Sequence, residues 1–109
     1  MNTLNNNCLF YPAFFNQDES NNIFAELKEN TSWQQDSVSQ FGKQILVPRL
    51  TAYYGDKSYT YSQVKREVKP WTSCLLDIKE KVEAKVGVKF HAVLLNFYRD
   101  GNDSIAWHS

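Results

Sequence analysis

The run Phe90-His91-Ala92-Val93-Leu94-Leu95-Asn96-Phe97-Tyr98 constrains the fold more than any other stretch of the chain. Side chains alternate between the faces of a strand, so Phe90, Ala92, Leu94, Asn96 and Tyr98 share one face while His91, Val93, Leu95 and Phe97 take the other. Both faces are mainly apolar, which predicts a strand buried between two layers. Asn96 and Tyr98 then stand as polar groups on an apolar face, where they need hydrogen-bond partners or a ligand. His91, on the opposite face, reads as structural.

The elements around this strand follow from periodicity and capping. Trp71, Leu75, Ile78, Val82 and Val86 recur at steps of four, three, four and four, predicting a helix that opens at Pro70 and is capped by Gly87. The charged residues Lys79, Lys81, Lys85 and Lys89, alternating with Asp77, Glu80 and Glu83, read as its solvated face. Asn16 three residues before Glu19 forms a capping-box signal, and Ile23, Phe24 and Leu27 at helical spacing predict a helix over Gln17–Glu29, with Trp33 packing back onto it. Leu9-Phe10-Tyr11, stopped by Pro12, fits an edge strand, and residues 1–8 read as a frayed, disordered tail. Gln44–Val47, Leu50–Tyr54 and Tyr59–Tyr61 read as strands, with Gly55-Asp56-Lys57-Ser58 as a turn. The fold class is therefore α+β, two helices flanking an antiparallel sheet, and 109 residues supply one small domain.

Charge is distributed unevenly although it sums to zero. Residues 1–42 hold one basic side chain, Lys28, against five acidic ones. Residues 43–69 hold six basic side chains against Asp56 and Glu67, and interleave them with Tyr53, Tyr54, Tyr59 and Tyr61. Cations can meet phosphates while flat rings stack on bases, so this segment is a candidate nucleic-acid surface; a solvated hairpin with ordinary strand tyrosines would have the same composition. Cys8 and Cys74 have no metal-like spacing and read as reduced thiols. With no apolar run of bilayer length and no basic, apolar leader at Met1–Asn7, the expectation is a protein of the cytoplasm, or the nucleus if eukaryotic, not secreted and with no membrane partner.

Taken together, Pro48-Arg49-Leu50-Thr51-Ala52-Tyr53-Tyr54-Gly55-Asp56, Tyr59-Thr60-Tyr61-Ser62, Pro70-Trp71, Leu94-Leu95-Asn96-Phe97-Tyr98-Arg99-Asp100-Gly101 and Asp103-Ser104-Ile105-Ala106-Trp107-His108-Ser109 resemble the AlkB family. Those are Fe(II)- and 2-oxoglutarate-dependent dioxygenases that remove alkyl groups from nucleic-acid bases. The resemblance runs in order from about Phe10 to the last residue. It implies the N-terminal half of a double-stranded β-helix, or jelly-roll, with residues 43–69 as a nucleotide-recognition lid. His108 matches the first histidine of the family's His-x-Asp pair, part of a 2-His-1-carboxylate iron site, and is implied to be catalytic and a metal ligand. Asn96 and Tyr98 match the positions that hydrogen-bond 2-oxoglutarate. Tyr61 and Ser62 match the lid positions that stack on and support a flipped-out base, and Arg49 and Tyr59 match substrate-contacting lid positions. The implied cofactors are Fe(II), 2-oxoglutarate and molecular oxygen, and the implied partner is alkylated DNA or RNA, single-stranded or with its base flipped, met by a monomer.

The implied reaction couples decarboxylation of 2-oxoglutarate to hydroxylation of an N-alkyl carbon, on 1-methyladenine or 3-methylcytosine, followed by loss of an aldehyde. A base must leave its stack for this, and an aromatic sandwich offsets the lost stacking. The aspartate and second histidine of the iron site, and the arginines that clamp 2-oxoglutarate, have no match among these 109 residues. The expectation is that this chain by itself is inactive and only marginally stable; the alternatives are a non-catalytic nucleic-acid-binding module or a non-functional gene fragment. Asp100-Gly101-Asn102-Asp103 reads as a turn because it lacks the later ligands of a calcium loop. Trp71 and Trp107 read as core anchors.

Overall fold

The computed structural model describes residues 2–5, 8–56, 59–61, 64–66 and 68–106. His108, Trp107 and Ser62, all singled out from the sequence, lie outside the described residues, as do the side chains of Tyr59 and Tyr61. The chain falls into two compact units, Met1–Thr31 and Ser32–Ser109.

In the first unit, β1 (Asn2–Asn5) pairs antiparallel with β2 (Cys8–Phe10), bringing Thr3 opposite Leu9. Residues 2–5, part of the expected tail, are a strand here, because the pairing groups are backbone N–H and C=O, which Asn-Thr-Leu-Asn supplies as well as any other sequence. Helix α1 (Gln17–Asn30) starts as its sequence signal predicts. The Glu19 N–H donates to Asn16 Oδ1 at 2.8 Å, and the Asn16 N–H donates to Glu19 Oε1 at 3.0 Å. Two N–H groups that would otherwise lack helical partners are thereby satisfied. Asn16→Ala should lower helix stability by about 1 kcal/mol. A fall in helical content on mild heating would register this, and an unchanged melting profile would show that the cap is dispensable.

The second unit is organised on β5 (Leu50–Gly55), which runs antiparallel to β8 (Ala92–Phe97) from Leu50 opposite Phe97 to Gly55 opposite Ala92. The other edge of β5 is hydrogen-bonded at both ends, by a bridge from Thr51 to Gln34 and one from Tyr54 to Lys69. Thr51, Ala52 and Tyr54 of β5, Leu95 of β8 and Leu75 are buried. Tyr54, 3% exposed, keeps its hydroxyl satisfied by accepting the Ser32 N–H at 3.0 Å. Trp33 packs on Phe97, with ring centroids 5.4 Å apart. Two further hairpins, β3 (Ser37–Gln40) with β4 (Lys43–Leu46) and β6 (Tyr59–Tyr61) with β7 (Val64–Arg66), complete four two-stranded antiparallel sheets among the described residues.

Two expectations for β8 and its helix change. The strand is covered on the Leu95 face but not at Leu94, which is 38% exposed, so it does not lie between two layers of the described residues. Alternation shows which side chains a strand could bury; it does not show which faces receive a cover. Helix α2 (Ser73–Val86) begins after Thr72, whose hydroxyl accepts the Leu75 N–H at 3.2 Å, and not at Pro70. It ends as predicted at Gly87, in the left-handed region at φ 72°. Leu75, Ile78 and Val82 of this helix face Phe90 and Val93 across an apolar cleft of about 190 Å³.

Glu83, expected on the solvated face of α2, is buried and braces the start of β8. Its carboxylate accepts the Phe90 N–H at 2.8 Å and pairs with the Lys79 ammonium at 2.9 Å. The Phe90 N–H first, and then Lys79, hold its pKa below the ordinary glutamate value of 4.5, against the opposing effect of burial. A carboxylate whose pKa is lowered on folding stabilises the fold above its unfolded pKa and loses that contribution as pH falls toward the folded value. Stability should therefore decline as pH drops below about 4.5, and Glu83→Gln should flatten this part of the profile. Equal acid sensitivity in the variant would assign the effect to other carboxylates.

Candidate co-substrate and nucleic-acid site

Asn96 lies opposite Thr51 across the β5–β8 pair and is half-buried. Its amide oxygen accepts the Arg49 Nε–H at 3.1 Å. The same guanidinium reaches the Ser104 carbonyl with Nη1 at 3.4 Å, while the Ser104 N–H donates to the Pro48 carbonyl at 2.8 Å. Pro48-Arg49 and Ser104 are thus bracketed from both sides, and the loop that follows β8 is tied back to the start of β5. His108 follows Ser104 by four residues in the sequence. The structure therefore brings Arg49 and Asn96 together, two residues that the sequence placed in different roles.

Tyr98 lies just beyond the end of β8 and is 42% exposed. The next residues form a tight loop. The Arg99 guanidinium grips the Asp103 carboxylate in two bonds of 2.7 and 3.0 Å, and the Arg99 N–H adds a third at 2.8 Å. The Arg99 side chain, then its N–H, hold the Asp103 carboxyl below the usual aspartate range, and Asp103 in return raises the Arg99 pKa. The Asn102 N–H closes an Asx turn onto Asp100 Oδ1 at 2.8 Å, so this segment is the turn expected from its sequence. Among the described residues, no group of three or more His, Cys, Asp or Glu side chains could hold a metal ion.

The basic, tyrosine-rich segment holds the β6–β7 hairpin and the second strand of the β3–β4 hairpin. In β6–β7, Tyr59 stands opposite Arg66 and Thr60 opposite Lys65, so an aromatic strand is paired with a basic one. The β3–β4 hairpin carries a feature that sequence reasoning missed. Gln40 pairs with Lys43, leaving a two-residue turn, Phe41-Gly42, with both residues at positive φ, 52° and 74°. Asparagine followed by glycine is the usual occupant of such a turn, and a bulky aromatic at its first position is strained. Phe41 is nevertheless there and is 93% exposed. The signal was the Phe-Gly pair just before the strand read at Gln44–Val47; β3, exposed along its whole length, gives no apolar alternation to reveal the partner strand.

A second hub, also unforeseen, joins the end of β5 to α2 and β8. Asp56 accepts the Trp71 indole N–H at 2.9 Å and lies 3.2 Å from His91 Nδ1. The Trp71 bond, then His91, lower the Asp56 pKa. Trp71 also carries the Lys79 ammonium over its ring at 5.6 Å, so its role as an anchor is polar as well as apolar. His91 is structural in this limited sense, at the surface.

The two helices and small antiparallel sheets are compatible with the N-terminal portion of the family that comparison with known proteins shows. The chain belongs to the 2OG-Fe(II) oxygenase superfamily, whose model matches residues 7–109. Within it, the chain is similar to AlkB proteins. It is 40% identical over 103 residues to the alpha-ketoglutarate-dependent dioxygenase alkB homolog 3 of Rattus norvegicus, covering 94% of this chain and 35% of that protein. Against the Homo sapiens protein of the same name the identity is 37% over 103 residues, with 94% and 36% covered. Against the DNA oxidative demethylase ALKBH2 of Homo sapiens it is 36% over 103 residues, with 90% and 40% covered. The chain thus spans little more than a third of the length of the homolog 3 relatives. No helix of the described residues is long and apolar enough to cross a membrane.

Proposed function

We propose that this chain carries the nucleotide-recognition lid and the first part of the co-substrate and iron site of a nucleic-acid demethylase, folded as the N-terminal half of a double-stranded β-helix. The observation that carries this reading is the half-buried Asn96 amide, fixed by Arg49 on the strand that leads toward His108. Asn96 and Tyr98 hydrogen-bond 2-oxoglutarate, and His108 is the first imidazole ligand of Fe(II). One imidazole is not an iron site, and in this reading the remaining ligands and the arginine clamp are supplied by residues other than these. Iron, oxygen and 2-oxoglutarate, when bound, supply the oxidation of the N-alkyl carbon. The part of this chain is to hold the keto acid and present the base. Tyr61 stacks on the flipped base, with Ser62 beside it and Tyr59 on the strand; Arg49 has N–H groups to spare for a phosphate. With one imidazole ligand the 109 residues by themselves turn nothing over in this reading, so the full chain of the tests below is one that carries these residues together with the other iron ligands.

The reading is tested by incubating the full chain with oligonucleotides carrying 1-methyladenine or 3-methylcytosine, single-stranded and duplex, and following methyl loss by mass. Loss that requires both Fe(II) and 2-oxoglutarate is expected. Retention of every methyl group, with binding intact, would favour the non-catalytic module.

The Phe41 hairpin supports a nucleic-acid partner independently. An exposed apolar side chain held at a strained turn position is a wedge that can enter a base stack and fill the gap that a flipped base leaves. Phe41→Asn relieves the strain and removes the wedge. It should hold or raise the melting temperature while weakening duplex binding several-fold, with single-strand binding less affected. Unchanged duplex affinity would show that Phe41 has no part in recognition.

A further inference from the structure

We infer that Arg49 is a positioning residue for the co-substrate, which locks the Asn96 side chain as a hydrogen-bond donor and ties the loop after β8 to the same anchor. The inference rests on the proposed co-substrate role of Asn96, and it assigns Arg49 a different principal task from a contact to nucleic acid.

The argument is one of donors and acceptors. A guanidinium has only N–H donors, so the atom of Asn96 facing Arg49 Nε at 3.1 Å has to be the amide oxygen. The amide is planar, so fixing its oxygen fixes its NH2 group on the other side. Asn96 then turns its two N–H donors, and not its oxygen, to the side away from Arg49. Such a group selects carboxylate or carbonyl oxygen, which is what a 2-oxo acid presents, and rejects a donor such as a hydroxyl or amine in that place. An asparagine free to flip would present either end and would lose part of its binding energy to that choice. Arg49 is also shared with Ser104, through the Nη1 bond to its carbonyl, while the Ser104 N–H is held by Pro48. One side chain therefore sets the Asn96 amide and holds the segment that precedes His108.

Lysine at this position keeps the positive charge, and so keeps a phosphate contact, but its single nitrogen cannot reproduce the planar two-point hold. Three variants of the full chain, Arg49→Lys, Asn96→Ala and the double, separate the possibilities. In ligand-free 15N–1H spectra, the Asn96 side-chain NH2 pair, identified by its loss in Asn96→Ala, is expected away from the position of a free asparagine and to move toward it in Arg49→Lys. The KM for 2-oxoglutarate is expected to rise about tenfold in Arg49→Lys, which corresponds to about 1.4 kcal/mol. Oligonucleotide affinity and its salt dependence should change less than about twofold, because the charge is retained. In the Asn96→Ala background, Arg49→Lys should add little further to the KM, since two residues acting as one unit are not additive.

An unmoved Asn96 NH2 pair, or full additivity of the two substitutions, would overturn the inference. So would weakened oligonucleotide binding with an unchanged 2-oxoglutarate KM, which would assign Arg49 to the nucleic acid. If the unsubstituted protein shows no 2-oxoglutarate-dependent turnover, the demethylase reading fails and the spectra alone report on the Arg49–Asn96 pair.

Discussion

Gly55→Ala is expected to destabilise the second unit by about 3 kcal/mol, at the upper end of the range for overpacked sites. A methyl group on Gly55 would lie 2.6 Å from the His91 carbonyl oxygen and 2.8 Å from both Cα and Cβ of Ala92. These obstacles are backbone atoms and a Cβ, so no side-chain rotation relieves them. The strands cannot easily separate either, because they are paired from Leu50–Phe97 to Gly55–Ala92 and the Asp56 N–H donates to the His91 carbonyl at 2.8 Å. Relief requires β8 to leave β5, and that pair carries the core residues Ala52, Tyr54 and Leu95. Single domains have roughly 5–15 kcal/mol in hand, so the loss is a large fraction of the total. Denaturant unfolding of the variant would measure it, and a change under about 1 kcal/mol would mean that the β5–β8 contact is looser than these distances imply.

His108→Ala carries the largest functional effect. Substitutions of the groups that merely orient a metal ligand typically cost 10–100-fold, so loss of the ligand itself should lower turnover by more than about a hundredfold. Bound iron should fall with it, while oligonucleotide binding, assigned by the proposal to residues 43–69, should persist. Turnover within tenfold of the unsubstituted protein, with iron retained, would remove His108 from the metal site.

What could be read from the sequence divides along a physical line. Elements specified by local chemistry were legible. The Asn16–Glu19 cap and the Gly87 stop each lie within one helical turn, and the steps from Leu75 to Val82 repeat the helical period, so α1 and most of α2 follow from the order of residues. Features that depend on partners distant in sequence were not. Arg49 and Asn96 are 47 residues apart, and no spacing rule announces that one will hold the other. Gly55 read as a turn residue because glycine is common in turns; here it ends β5 where another strand presses against it. Glu83 looked like one more charge on a solvated face until the Phe90 N–H and Lys79 gave it a buried place.

The candidate site shows the same division. The alternation that put Asn96 on one strand face with Leu94 was correct as geometry, and the polar residue there does have a partner. That the partner is Arg49 changes the chemistry, because it decides which end of the amide faces a ligand. The Phe41 turn was hidden for the opposite reason. Its flanking strands are exposed throughout, and the two-residue turn that sets its register uses a residue that turn preferences disfavour.

The central claim is that these residues belong to a site in which oxidation of 2-oxoglutarate is coupled to removal of a methyl group from a base. The most direct test is stoichiometry: succinate, formaldehyde and repaired base counted in one reaction of the full chain with a 1-methyladenine oligonucleotide, Fe(II) and 2-oxoglutarate. The account predicts one succinate and one formaldehyde for each methyl removed, and none of the three products when Fe(II) is withheld. Methyl loss without succinate, or at the same rate without iron, would contradict it.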